Sequence, residues 1–194
     1  MRKRHPGESA PKEVPLGCRD PVELADWIPA SAGVTDGLLI GLPPIIDENI
    51  ETLILGSFPS PASLTAQQYY AHRQNQFWRV MAAVIGESLV DFSYAEKQRS
   101  LLHHRIGVWD VYRTCLREGA LDSAIQLAES NDFSLLEISV PRLRRVCFNG
   151  KTSAKLERFF ALRGYETFVL PSTSPAYTLA FERKLLRWSE ALRR

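Results

Sequence analysis

The chain has 194 residues, 45% of them hydrophobic, and its 24 Lys and Arg against 22 Asp and Glu give a formal charge of +2. That length supports one substantial core and calls for no second domain of ordinary size, and so small a net charge does not by itself announce a nucleic-acid partner. Three cysteines without a Cys-x-x-Cys pair and four histidines without ligand spacing argue against a disulfide framework, a structural zinc and a four-thiolate iron–sulfur cluster, so no metal or other cofactor is expected.

Residues 1–36 mix Pro, Gly, Ser and charge with no sustained period and read as a poorly ordered extension, leaving residues 37–194 as a single domain. The basic start Met1-Arg2-Lys3-Arg4 runs into Pro, Gly and Glu, and no stretch approaches the roughly 20 apolar residues that cross a bilayer. A cytoplasmic monomer is the expectation.

From Leu38 onward short apolar runs alternate with helical patterns. Thr52–Gly56, Ile106–Val111, Arg145–Asn149 and Thr167–Leu170 read as strands. Helical spacing appears at Phe77, Val80, Met81, Val84 and Ile85, at Leu156, Phe159 and Phe160, and at Phe181, Leu185, Trp188 and Leu192. This alternation predicts an α/β protein: a three-layer α/β/α sandwich around a central, mostly parallel four-stranded sheet.

Ligands of open α/β sheets bind beyond the carboxyl ends of the strands. Three segments with unusual residues stand there: Gly56-Ser57-Phe58-Pro59-Ser60, Asn149-Gly150-Lys151-Thr152-Ser153 and Pro171-Ser172-Thr173-Ser174-Pro175-Ala176. Gly150-Lys151-Thr152 is not a nucleotide phosphate loop, because Arg145 stands where the first glycine of that pattern is required. A fourth segment, Gln68 to Trp78, packs aromatics and amides immediately before a helix; core packing accounts for Phe77 and Trp78 but not for Gln74, Asn75 and Gln76. Charge is concentrated at the end of the chain, where residues 142–194 carry 12 Lys and Arg against 4 Asp and Glu. Such a stretch suits a phosphate-facing surface or a merely solvated one.

Leu53-Ile54-Leu55-Gly56-Ser57-Phe58-Pro59, the Gln68–Trp78 segment, Gly107-Val108-Trp109-Asp110-Val111 with Cys115, Arg117, Gly119 and Asp122, then Phe148-Asn149-Gly150-Lys151, and Leu170-Pro171-Ser172-Thr173-Ser174-Pro175-Ala176 form five blocks in order. Together they resemble the hypoxanthine-DNA glycosylase branch of the uracil-DNA glycosylase superfamily along residues 51–192. The chain departs from that pattern at Ser60, Arg73 and Tyr177, where the branch usually has glycine, proline and asparagine. The resemblance implies an enzyme of DNA repair that hydrolyses the N-glycosidic bond of a deaminated base, most simply hypoxanthine; a uracil or mismatch glycosylase, or an inactive DNA-binding module of the same fold, are the alternatives.

Such an enzyme must flip the base out of the stack, cover its face and read its edge. Gly56, Ser57 and Phe58 are the expected wall of the base pocket, with Phe58 either stacking on the base or capping the core. Asn149 offers a donor and an acceptor for a purine edge, or serves as a turn residue bonding to backbone. The resemblance makes Asn75 the catalytic asparagine, orienting water or favouring the sugar cation, whereas the residues alone favour a helix cap before Phe77. His72 stabilises the departing base or simply packs beside tyrosines. Lys151, Ser172, Thr173, Ser174, Arg183 and Arg187, with Lys184 beside them, are the expected phosphate contacts on DNA, a capping loop and a solvated helix being the rivals. No block places a lysine for a Schiff base with the sugar, Lys151 reading better as a helix-start residue, so the expected glycosylase is monofunctional.

Overall fold

The computed structural model describes residues 34, 35 and 37–193. The expected extension therefore lies outside the described residues except for Val34 and Thr35. The element order is β1 (Val34–Thr35), β2 (Leu38–Ile40), β3 (Thr52–Gly56), α1 (Pro61–Ala66), α2 (Phe77–Ile85), α3 (Tyr94–His103), β4 (Ile106–Asp110), β5 (Tyr112–Arg117), β6 (Ile125–Ser130), α4 (Leu136–Ser139), β7 (Arg145–Asn149), α5 (Glu157–Ala161), β8 (Glu166–Leu170) and α6 (Phe181–Leu192).

The central sheet has the order β4-β3-β7-β8, and all three of its pairings are parallel. Its strands read as unbroken apolar runs because both faces are covered. Along β3, Leu53 and Leu55 enter one core with Val146, Phe148, Trp109 and Phe160, while Ile54 enters the other with Val108, Cys147, Phe77 and Trp188. Burying a side chain of this size contributes about 1.5–3 kcal/mol. α2 packs on α6 with the Phe77 and Trp188 rings edge to face at 6.0 Å. The three-layer expectation is met, with β4 ending one residue earlier than read: Val111 leaves the strand and its N–H donates to the Gly56 carbonyl.

A second sheet of order β1-β2-β5-β6, antiparallel throughout, was not expected from the sequence. The chain passes from β4 into β5 across Val111, so the end of the central sheet is bound directly to this ribbon. β6 is almost wholly exposed, with Leu127 at a φ of 45°, and therefore shows no apolar alternation. Two short helices also escaped the periodic reading: α1, capped by Ser60, and α3, whose Ser93 and Glu96 form a capping box. Among the described residues no helix is long and apolar enough to cross a membrane.

Candidate active site

The carboxyl ends of β3, β4 and β7, the segment before α2 and the loop after β8 surround a pocket of about 290 Å³. Gly56, Ser57, Phe58, Asn75, Asn149, Ser172, Thr173 and Ser174 all line it, as do Tyr70 and Asp110. Five stretches of chain thus meet where an open sheet places its ligand.

Phe58 is nearly buried, with the Arg117 guanidinium 5.2 Å above its ring and the Arg117 amino group donating to the Pro59 carbonyl at 2.5 Å. The ring is thereby backed on one side and forms a wall of the pocket on the other.

Asn75 also holds two roles. Its Oδ1 accepts the Phe77 N–H at 3.0 Å, relieving one of the unpaired donors at the start of α2, while the residue lines the pocket. Gln76 N–H donates to the Thr173 carbonyl at 3.0 Å, tying this segment to the Ser/Thr loop. The rest of the segment is fixed from behind: Trp78 Nε1 donates to the Tyr69 carbonyl and Tyr69 donates to the Leu42 carbonyl. These bonds account for Tyr69 and Trp78, while the buried Gln76 Oε1 is left without a partner.

Asn149 is a strut as well as a pocket residue. Its Nδ2 donates to Thr173 Oγ1 and its Oδ1 accepts the Thr173 N–H, both at 2.9 Å, and its amide also acts on the Tyr70 hydroxyl, partly offsetting the rise of that group's pKa. Thr173 is fully buried, its hydroxyl and N–H both turned to Asn149. Gly150 has a φ of +104°, and a Cβ there would lie 3.1 Å from that of Ser172, so glycine lets the two loops close.

Two expectations are redirected. His72 is exposed and outside the pocket lining; its Nδ1 accepts the Gln74 N–H at 3.2 Å and its carbonyl accepts that of Asn75, so it shapes the turn that presents Asn75. Lys184 is buried, with its pKa lowered by desolvation, and its ammonium donates to the Tyr177 carbonyl at 2.7 Å, pinning the loop rather than meeting DNA. Trp188 Nε1 fixes the other end of that loop at the Pro171 carbonyl. Lys151 and Arg187 are exposed and line a neighbouring depression of about 750 Å³ that shares Ser172, Tyr177 and Asp122 with the pocket. Arg183 is exposed one turn before Arg187 on α6, and Ser174 Oγ accepts the Ala176 N–H within the loop.

Asp110 was not singled out from the sequence. It is 3% exposed at the end of β4, opposite Gly56 in the parallel register. A Cβ on Gly56 would lie 2.2 Å from Asp110 Oδ1 and 3.3 Å from the Tyr70 hydroxyl, so glycine is what admits the carboxyl to this corner. Burial pushes the Asp110 pKa up to about 8, with the Asp122 carboxylate adding to the rise and Arg117 opposing it. Tyr70, at a φ of 56°, stacks on Phe77 with centroids 3.8 Å apart. Its buried hydroxyl, driven far above its ordinary pKa range by desolvation and by Asp110, closes no hydrogen bond of normal geometry. Two signals in the sequence bore on it: a charged residue closing the apolar run Ile106–Trp109, and its place in the Gly107–Val111 block of the resemblance.

Residues 43–193 match the family described as the Uracil DNA glycosylase superfamily. A hypoxanthine DNA glycosylase of Methanosarcina acetivorans is 46% identical over 153 residues, covering 79% of this chain and 97% of the relative. One from Methanosarcina barkeri is 42% identical over 154 residues, covering 79% and 98%. A solution structure of a candidate uracil DNA glycosylase from M. acetivorans superposes with a TM-score of 0.74 at 45% identity, covering 80% of this chain and 97% of that one. The match spans every pocket-lining segment, and with it the chain belongs to the uracil DNA glycosylase superfamily.

Proposed function

We propose that the protein is a monofunctional DNA glycosylase that hydrolyses the bond between hypoxanthine and deoxyribose, leaving an abasic site. The observation that carries the reading is the meeting of Asn75, Asn149 and Phe58 in one pocket at the carboxyl end of the sheet. The curated relatives bearing the name hypoxanthine DNA glycosylase supply the choice of base. A flipped base takes its place against the Phe58 ring, with the Asn149 amide at its edge and Asn75 beside the sugar. Loss of the base makes the sugar cationic and the base anionic; the lone pair of Asn75 Oδ1 not engaged by Phe77 orients water toward the sugar. The reading takes the protein as a cytoplasmic monomer, and the two described cysteines, Cys115 and Cys147, are free and buried, in keeping with the cytoplasm. Residues 37–194 make the catalytic domain in this reading, with Val34 and Thr35 adding an edge strand to its second sheet.

The test uses duplexes carrying hypoxanthine, uracil or xanthine at one position, with alkaline cleavage of any abasic strand. Release of hypoxanthine ahead of the others is the expected result; preferential release of uracil would move the protein to another branch, and no release from any duplex would leave only a binding module.

The exposed Lys151 and Arg187 in the depression beside the pocket support a role for it in holding the DNA backbone. Lys151→Ala with Arg187→Ala is expected to weaken duplex binding and to flatten the dependence of log affinity on log salt by about one unit for each lost phosphate contact. Arg187 first gives up its 3.3 Å pair with exposed Glu190, a surface interaction of small worth. A salt slope equal to that of the unmodified protein would put this face in solvent.

A further inference from the structure

We propose that Asp110 is a catalytic residue: a buried neutral carboxyl that hydrogen-bonds the flipped base and gives it a proton as the glycosidic bond breaks. The inference rests on the glycosylase reading and deepens it.

Three observations converge on this carboxyl. It lines the pocket shared with Asn75 and Asn149, at the end of the strand beside Gly56. Its Oδ2 is buried with no hydrogen-bond partner, as is the Tyr70 hydroxyl in the same corner. A polar atom stripped of water without replacement costs about 1–3 kcal/mol, a cost retained where a ligand supplies the partner. Third, no cation neutralises it. The charged and titratable groups around it are Tyr69 and Tyr70 on the segment before α2, Tyr94 on α3, Asp122 beyond β5 and Arg117 on β5. The tyrosines are neutral, Asp122 repels a second negative charge, and Arg117, whose charge opposes the rise, gives its amino group to the Pro59 carbonyl and its face to the Phe58 ring, while its buried Nε closes no hydrogen bond to Asp110. A carboxyl so placed stays protonated at neutral pH, the state in which it can donate.

The chemistry balances without any group beyond water. The C1′–N9 bond breaks with its electron pair passing to the base, and the Asp110 proton moves to an acceptor atom on that base. The resulting carboxylate faces the sugar cation; water adds to C1′, and the proton it loses returns to Asp110. Hypoxanthine and an abasic sugar leave, one water having been consumed. Asn75 places the water and Asp110 discharges the leaving group, so each side of the breaking bond has its own residue.

Asp110→Asn keeps the shape and a hydrogen-bond donor but has no proton to transfer. With a hypoxanthine duplex, the single-turnover rate of the unmodified enzyme is expected to fall with rising pH above about 8, where Asp110 ionises. The variant is expected to be slower by on the order of 100-fold at neutral pH and to lack that alkaline limb. Comparing both proteins on one duplex removes any contribution from the base's own lactam proton, common to the two. A 13Cγ titration of aspartate-labelled free enzyme reads the same group without turnover, with one resonance expected to move near pH 8 and to be missing in the variant. Asp110→Asn with the unmodified rate, a slow variant that keeps the alkaline limb, or a 13Cγ resonance titrating in the ordinary carboxylate range would each overturn the proposal. Failure of the unmodified protein to release any base would instead bring down the glycosylase reading, and this inference with it.

Discussion

Asn75→Ala is expected to lower single-turnover release of hypoxanthine by on the order of 100-fold or more, equivalent to roughly 3 kcal/mol of transition-state stabilisation. It is also expected to cost about 1 kcal/mol of stability, because the Phe77 N–H loses its acceptor at the start of α2. The two effects are separable. Asn75→Asp keeps an acceptor for that N–H and places negative charge at a helix N-terminus, so its melting temperature should match or exceed that of the unmodified protein. Its rate then reports on chemistry alone. If water orientation dominates, the carboxylate retains the needed oxygen and Asn75→Asp is faster than Asn75→Ala. If contact with the leaving base dominates, it repels the forming anion and is as slow or slower. Binding to a hypoxanthine duplex should survive in both variants, since the phosphate and base-edge contacts come from the loops after β7 and β8. Near-normal rates in both, with only a lowered melting temperature for Asn75→Ala, would reduce Asn75 to a cap.

The central sheet was legible because its strands are buried on both faces and so stand out as apolar runs; β3 and β7 fall where the pattern put them, and β8 begins one residue earlier. The ribbon of β2, β5 and β6 was not. β5 contains Arg113, Thr114 and Arg117, and only Thr114 and Cys115 are buried, so tertiary pairing rather than any intrinsic period makes it a strand. At the site, the lining residues at the ends of β3 and β7, Gly56 and Asn149, stood out because those strand ends could be located, whereas Asp110 at the end of β4 did not. What stayed hidden was direction. Nothing in the spacing of Arg183, Lys184 and Arg187 tells which one α6 turns inward, and Lys184 is the one buried against the Tyr177 carbonyl. Nor does a sequence reveal that Asp110 has no counterion: that is a fact about Tyr70, Gly56 and Arg117 meeting in space. The amides at 75 and 149 posed a different difficulty, since the structural and functional readings were set against each other and both residues hold a structural bond while facing the pocket.

Asn149→Ala is the second variant expected to be severely impaired, and it must be read beside Asn149→Asp. Removing the amide deletes both 2.9 Å bonds to Thr173 and strands the N–H of a fully buried residue, a loss of about 1–3 kcal/mol of stability. The Ser/Thr loop then loses its tie to β7, and release of hypoxanthine should fall by on the order of 100-fold through loop position and lost base contacts together. Asn149→Asp repairs the tie: a carboxylate accepts the Thr173 N–H, and the Thr173 hydroxyl can turn to donate to it. What it cannot do is donate to a base oxygen, and its charge opposes a base that departs as an anion. Should Asn149 read the base edge, Asn149→Asp melts near the unmodified temperature yet is as slow as Asn149→Ala, with weakened discrimination between hypoxanthine-containing and undamaged duplexes. A rate restored by Asn149→Asp to within a few-fold of the unmodified enzyme would show that the residue serves only to hold Thr173, and the reading of the base would pass to Asp110 and the backbone around Ser57.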